Sequence, residues 1–173
     1  MRELADRERI ERFMEALGRE ARARVRVYLV GGTTAVLMGW RASTVDVDLV
    51  MRPEDDTLLR AIPALKSSLK INVELKSPAD FIPVPPGWEE RSEFVRDVQR
   101  VAFYHFDLYA QALAKVERGH RQDLEDVHAM IDLGLVDPAR AVEYFGRIEP
   151  DLYRFPAIDP PGFRRAVEEM FGG

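Results

Sequence analysis

The chain contains no cysteine. That excludes disulfide scaffolds, thiol nucleophiles and cysteine zinc sites, and it is compatible with a reducing compartment. No stretch approaches the roughly 18 consecutive apolar residues of a membrane helix. The first 26 residues carry Arg and Glu where a signal peptide has its apolar core. The expectation is a soluble, cytoplasmic protein with no membrane partner. Histidine is scarce, and His105, His120 and His128 show no metal-ligand spacing. An excess of positive charge is lacking as well. The formal net charge of -5 argues against a general nucleic-acid coat and leaves room only for a local basic patch. There is no internal repeat and no low-complexity tract. What is present is 46% hydrophobic and 32% charged residues, enough for a core in one domain or one domain with a helical appendage.

Periodicity orders the rest. Ile10, Phe13, Met14 and Leu17 recur at helical spacing within residues 6–22. The interleaved Arg and Glu of this helix favour a solvated, salt-bridged face over an RNA-steering one. Residues 25–30 read as a strand ended by Gly31-Gly32, with a short helix from Thr33 to Met38 capped by Thr33 or Thr34. Residues 45–51 form the next strand, with Val45, Val47, Leu49 and Met51 on one face and Asp46 and Asp48 on the other. Pro53 opens a helix near 54–70, interrupted by Pro63. A third strand spans 71–75 and a proline-rich loop spans 78–87. A hairpin with its turn near Gln99 joins 94–98 to 101–106. Helices are expected at 107–118, 123–133, 138–147 and 162–171, the first two ended by Gly119 and Gly134. Strands with helices precede a run of helices. The fold class is therefore α/β (α+β): a small mixed sheet at 1–106 with flanking helices, and a helical part at 107–173 packed on it.

Asp46 and Asp48 are the first candidates for chemistry. Acids at i and i+2 of a strand point the same way, about 6.5–7 Å apart at Cα. That spacing suits carboxylates gripping a divalent cation such as Mg²⁺. It suits a wet, half-exposed strand face equally well. Gly31-Gly32 shifts the balance, because backbone N–H groups at a strand end, with no Cβ in the way, can receive a phosphate.

The combination of Gly31-Gly32, Arg41, Thr44, Asp46 and Asp48 resembles the first motif of the nucleotidyltransferase fold shared by polymerase-β-like enzymes. Its GG form with R-x-(S/T)-x-D-x-D looks closest to minimal bacterial nucleotidyltransferases of the AbiEii type, among them toxin components of toxin–antitoxin and phage-defence systems. The resemblance implies that Asp46 and Asp48 bind Mg²⁺ (or Mn²⁺) and that Gly31, Gly32 and Thr33, with Arg41 and Thr44, hold nucleotide phosphates. The superfamily supplies a third carboxylate from a later strand. Glu74, on one face with Asn72, is the best match, although the family residue is more often Asp; Asp80 and Asp107 are fallbacks.

The run 107–127 is similar to a later motif of the same family. It maps a helical lysine onto Lys115, an arginine onto Arg118 and an acid pair onto Asp123 and Asp126. By that likeness Lys115 contacts triphosphate and Asp123 orients it. The competing interpretation is an ordinary solvated helix face along Asp107, Gln111, Lys115 and Arg118, with Arg118 and Asp126 a structural pair. Trp88 either stacks on a base or anchors a core edge.

The implied activity moves a nucleoside monophosphate from a nucleoside triphosphate to a hydroxyl of RNA, tRNA included, or of protein. A cognate antitoxin or toxin is the implied partner. The alternatives are a catalytically inactive nucleotide- or partner-binding module and a two-metal nuclease, for which Gly31-Gly32 and Lys115 have no evident use.

Overall fold

The structure is a computed structural model that describes residues 3–172. The chain divides into two compact units. The first runs up to Ser77 and takes in Ser92–Phe106; the second joins Pro78–Arg91 to the residues from Asp107 onward.

In the first unit a two-residue strand β1 (Ala5–Asp6) leads into helix α1 (Arg7–Glu20). Asp6 caps that helix by accepting from the Arg9 amide at 2.9 Å. Then follow β2 (Val25–Val30), α2 (Gly32–Met38), β3 (Ser43–Thr44), β4 (Asp46–Arg52), α3 (Asp56–Leu69), β5 (Asn72–Leu75), β6 (Glu93–Val98) and β7 (Val101–His105). Five strands make one mixed sheet in the order β5-β4-β2-β7-β6. Strands β2 and β4 pair antiparallel, while β2 with β7 and β4 with β5 pair parallel. One sheet face is apolar, as strand alternation requires. Val27, Leu29, Val47, Leu49, Val73 and Phe103 pack there against Ile10, Phe13, Met14 and Leu17 of α1 and Leu58 and Ile62 of α3. Full burial of each large side chain contributes roughly 1.5–3 kcal/mol. The other face carries Asp46, Asp48, Asn72 and Glu74 at one end.

Four local expectations change. Thr33 and Thr34 do not cap α2: the cap residue is Gly31, and both threonines lie buried inside the helix. Val45 leaves the buried face. It is 66% exposed, because Ser43–Thr44 pairs with Ala5–Asp6 and the chain bends before β4 begins. Pro53 precedes α3 instead of opening it; Asp55 is the cap and accepts from the Leu58 amide at 2.9 Å. Pro63 does not interrupt α3. It sits on the exposed side, where water can serve the carbonyl that its missing N–H leaves behind. The hairpin turn falls at Gln99 as expected, with a positive φ of 56°.

The second unit holds α4 (Trp88–Arg91), α5 (Leu108–Arg118), α6 (Arg121–Asp132), α7 (Pro138–Ile148) and α8 (Pro160–Phe171), with 3₁₀ turns at Pro78–Asp80 and Glu149–Arg154. Asp107 caps α5 by accepting from the amides of Tyr109 and Ala110. Gly119 and Gly134 follow α5 and α6 with positive φ, as the sequence led one to expect. Leu113, Val127, Ala141, Phe145, Phe163 and Val167 are among its buried apolar side chains. Among the described residues, no helix is long and apolar enough to cross a membrane.

Candidate active site

The sheet brings the acids together by register. Asp48 of β4 faces Glu74 of the parallel neighbour β5, and Asp46 faces Asn72. The ligand atoms of Asp46, Asp48 and Glu74 lie within 4.8 Å of one another. Asn72 donates its amide N–H to Asp46 Oδ1 at 2.6 Å and to Glu74 Oε1 at 3.3 Å. Three carboxylates this close repel one another unless positive charge is shared among them. Their oxygens are hard donors, so the set fits a divalent cation of the Mg²⁺ type. The fallbacks Asp80 and Asp107 are not in the cluster. Asp107 is instead committed to capping α5 and to an ion pair with Arg91 at 2.9 Å.

Gly31-Gly32 closes the strand beside these acids, since Val30 is the register partner of Asp48. Each glycine has its own reason. Gly31 holds φ 66° and ψ -131°, a region closed to side-chain-bearing residues. A Cβ placed on it would stand 3.4 Å from Asp48 Oδ2, so the backbone turn lies against the acid. Gly32 is required by space: a Cβ there would fall 2.1 Å from Thr44 Oγ1 and 3.0 Å from Arg41 Nη1. Arg41 and Thr44 thus pack over the glycine turn, which explains physically why the motif carries them together. Thr44 also donates its hydroxyl to the Asp46 carbonyl at 3.0 Å, steadying the start of β4. Thr33 is fully buried, and its Oγ1 has no hydrogen-bond partner among the described residues. An orphaned buried hydroxyl is costly and needs an explanation.

Behind the turn, Thr34 Oγ1 donates to the Leu29 carbonyl at 3.2 Å and lies 3.0 Å from His105 Nδ1. Burial lowers the His105 pKa to about 4, so the imidazole is neutral near pH 7. With the threonine proton given to Leu29, Nδ1 carries the hydrogen and donates to Thr34. His105 packs in its strand and fixes the helix that follows the glycines.

In the second unit the polar stripe of α5 is solvated only at Arg118. Asp107, Gln111 and Lys115 are all buried. Lys115 Nζ donates to Asp126 Oδ2 at 2.8 Å and stands 3.7 Å from Asp123 Oδ1. Arg118 pairs with Asp123 in a two-pronged contact at 2.6 and 2.7 Å. Arg118 thus pairs with Asp123, and Asp126 with Lys115. Burial pushes the Asp123 carboxyl up, but the Arg118 hydrogen bond with the charges of Lys115 and Arg118 outweighs it and holds the pKa below its usual value. Trp88 is half-buried at the start of α4.

Asn72 is the site residue that sequence reasoning left without a role. The signal was there: it sits two positions before Glu74 on the same strand face. Only the register shows that it meets Asp46.

Residues 8–140 match the model of a family described as nucleotidyltransferase of unknown function (DUF6036). No curated protein and no solved structure matches the chain.

Proposed function

The chain belongs to this nucleotidyltransferase family, and from that premise we propose that it transfers a nucleoside monophosphate from a nucleoside triphosphate to an acceptor hydroxyl. The observation that carries the proposal is the convergence of Asp46, Asp48 and Glu74 within 4.8 Å, beside the glycine turn.

Asp46, Asp48 and Glu74 are the cation ligands, and Asn72 orients the Asp46 carboxylate through its amide. A Mg²⁺ or Mn²⁺ ion held there would polarise the phosphate oxygens and neutralise developing charge. Gly31, Gly32 and Thr33 cradle the β- and γ-phosphates through their backbone N–H groups. Arg41 and Thr44 keep the turn in shape, and Arg41 adds a positive charge beside it. The acceptor hydroxyl releases its proton to solvent as its oxygen forms a new bond to the α-phosphorus, and the bond from that phosphorus to pyrophosphate breaks. The chain contributes positioning and electrostatics, as is general for phosphoryl transfer. For Lys115 and Asp123, a role toward triphosphate is supported by the resemblance of the 107–127 run.

The acceptor is an RNA, tRNA included, or a protein. The AbiEii-type likeness supports a toxin–antitoxin or phage-defence setting with a cognate partner. The test is incubation with each α-labelled nucleoside triphosphate, Mg²⁺ or Mn²⁺, and RNA or protein acceptors. Label should enter an acceptor with wild type and fall to background with an Asp46→Ala, Asp48→Ala variant, which lacks two of the three proposed cation ligands. Equal labelling by both proteins rejects the enzyme. No labelling, with calorimetric heat on adding triphosphate, leaves the inactive nucleotide-binding module in its place.

A further inference from the structure

The face of the sheet that bears the acids carries a second, different cluster at its far end. A pocket of about 500 Å³ lies wholly within the first unit, and its lining includes Arg24, Arg26, Arg52, Arg100, Phe94 and Tyr104. Asp97 is the single carboxylate in that lining. Four guanidinium groups against one acid give a strongly positive hollow in a chain whose formal net charge is -5. All four arginines are exposed. Arg26 of β2 and Arg52 of β4 are direct cross-strand neighbours.

The aromatic side chains add a second property. Phe94 is 55% exposed, although phenylalanine is costly to leave in water. Its ring meets Tyr104 edge-on at 5.6 Å, and Tyr104 stacks on Tyr28 at 5.4 Å. Arg26 lies over the Tyr104 ring at 5.8 Å. Arginines for phosphates, with an exposed ring held rigid by a neighbour, are what single-stranded nucleic acid requires: charge for the backbone and a platform for a base. An acidic protein segment would use the arginines and leave Phe94 without a purpose. Alternation sets the pocket on the catalytic face, because Arg52 follows Asp48 by four residues, about 13 Å along β4.

We propose that this arginine–aromatic pocket binds a single-stranded nucleic acid, its phosphates on Arg24, Arg26, Arg52 and Arg100 and a base on Phe94. That the bound strand is the acceptor of the transfer rests on the function proposed above; that the pocket binds it does not. The experiment is fluorescence anisotropy of a labelled short single-stranded RNA, without nucleoside triphosphate, over a series of KCl concentrations. Log affinity should fall with log salt with a slope of about -3, four contacts each contributing about 0.7 on a single strand. An Arg24→Ala, Arg100→Ala variant should lower that slope to about half. Phe94→Ala should weaken binding by about tenfold and leave the slope unchanged. Circular dichroism and a denaturation midpoint check that these exposed substitutions leave the fold intact. The Asp46→Ala, Asp48→Ala variant should bind RNA as wild type does, so a failure of the transfer reaction and a failure of the pocket are read separately. The proposal is overturned if wild type binds no RNA or if the pocket variants bind as wild type does. It is overturned equally if inorganic pyrophosphate or an acidic peptide competes as well as unlabelled RNA, which would make the hollow a free-phosphate or a protein site.

Discussion

His105 ends β7 as a buried base, tied to the hydroxyl of Thr34 one residue past Thr33. Its pKa falls from the ordinary 6.5 to about 4 because burial penalises the charged ring. The unfolded chain therefore takes up a proton near pH 6.5 that the folded chain refuses until about pH 4. Stability is fully present above pH 6.5 and is lost as pH falls between the two values. The loss over that window is roughly 3 kcal/mol at 1.36 kcal/mol per unit. Urea denaturation of wild type and His105→Gln at pH 7 and pH 4.5 checks it: wild type should lose roughly 2–3 kcal/mol more than the variant across this interval. Equal losses would mean that the ring is protonated in the folded protein. At this scale the sequence was readable for the motif residues, since Gly31, Gly32, Asp46 and Asp48 are adjacent in the chain or share a strand. It was silent on Thr34 with His105 and on Asn72 with Asp46. Those pairs are 71 and 26 positions apart, and only strand register brings them into contact.

At the scale of elements, α5 and α6 show what burial does to a charged stripe. Lys115 and Asp126 are both buried and bonded at 2.8 Å. Removing one partner strands the other charge out of water, at a cost of about 3–5 kcal/mol, whereas replacing both with apolar residues of similar volume is often neutral. Lys115→Met should therefore destabilise the protein by that amount, and Lys115→Met with Asp126→Leu should recover most of it, measured as denaturation midpoints. A Lys115→Met variant of unchanged stability would show that the pair is not held in the folded protein. Helical spacing predicted the polar stripe along Asp107, Gln111 and Lys115 correctly. It could not reveal that the stripe is buried, because a charged side chain reads as exposed until a carboxylate from another helix is known to meet it. Pro63 shows the opposite limit. A helix breaker by propensity stays inside α3 because tertiary packing of Leu58 and Ile62 outweighs the lost backbone hydrogen bond.

At the scale of the whole molecule, the sheet order explains why the acids are distant in sequence and adjacent in space. Placing β4 between β2 and β5 sets the Gly31 turn on one side of Asp48 and Glu74 on the other. The alternation of β4 then gives the same face acids at one end and Arg52 at the other. The five strands of the main sheet and the mixed α/β character were legible from periodicity; the two-residue strands β1 and β3 were not. The pairing order was not, since β2–β4 and β2–β7 run in different senses and no local signal encodes that choice.

The central claim is that Asp46, Asp48 and Glu74 together hold a divalent cation. Titration of Mn²⁺ into the protein, followed by loss of the free-ion electron paramagnetic resonance signal, measures this directly. Wild type should take up Mn²⁺ saturably, Asp48→Asn should lose that binding, and Glu74→Gln should weaken it at least tenfold, the scale on which metal sites respond to losing a supporting group. Uptake that is the same in all three proteins would contradict the account.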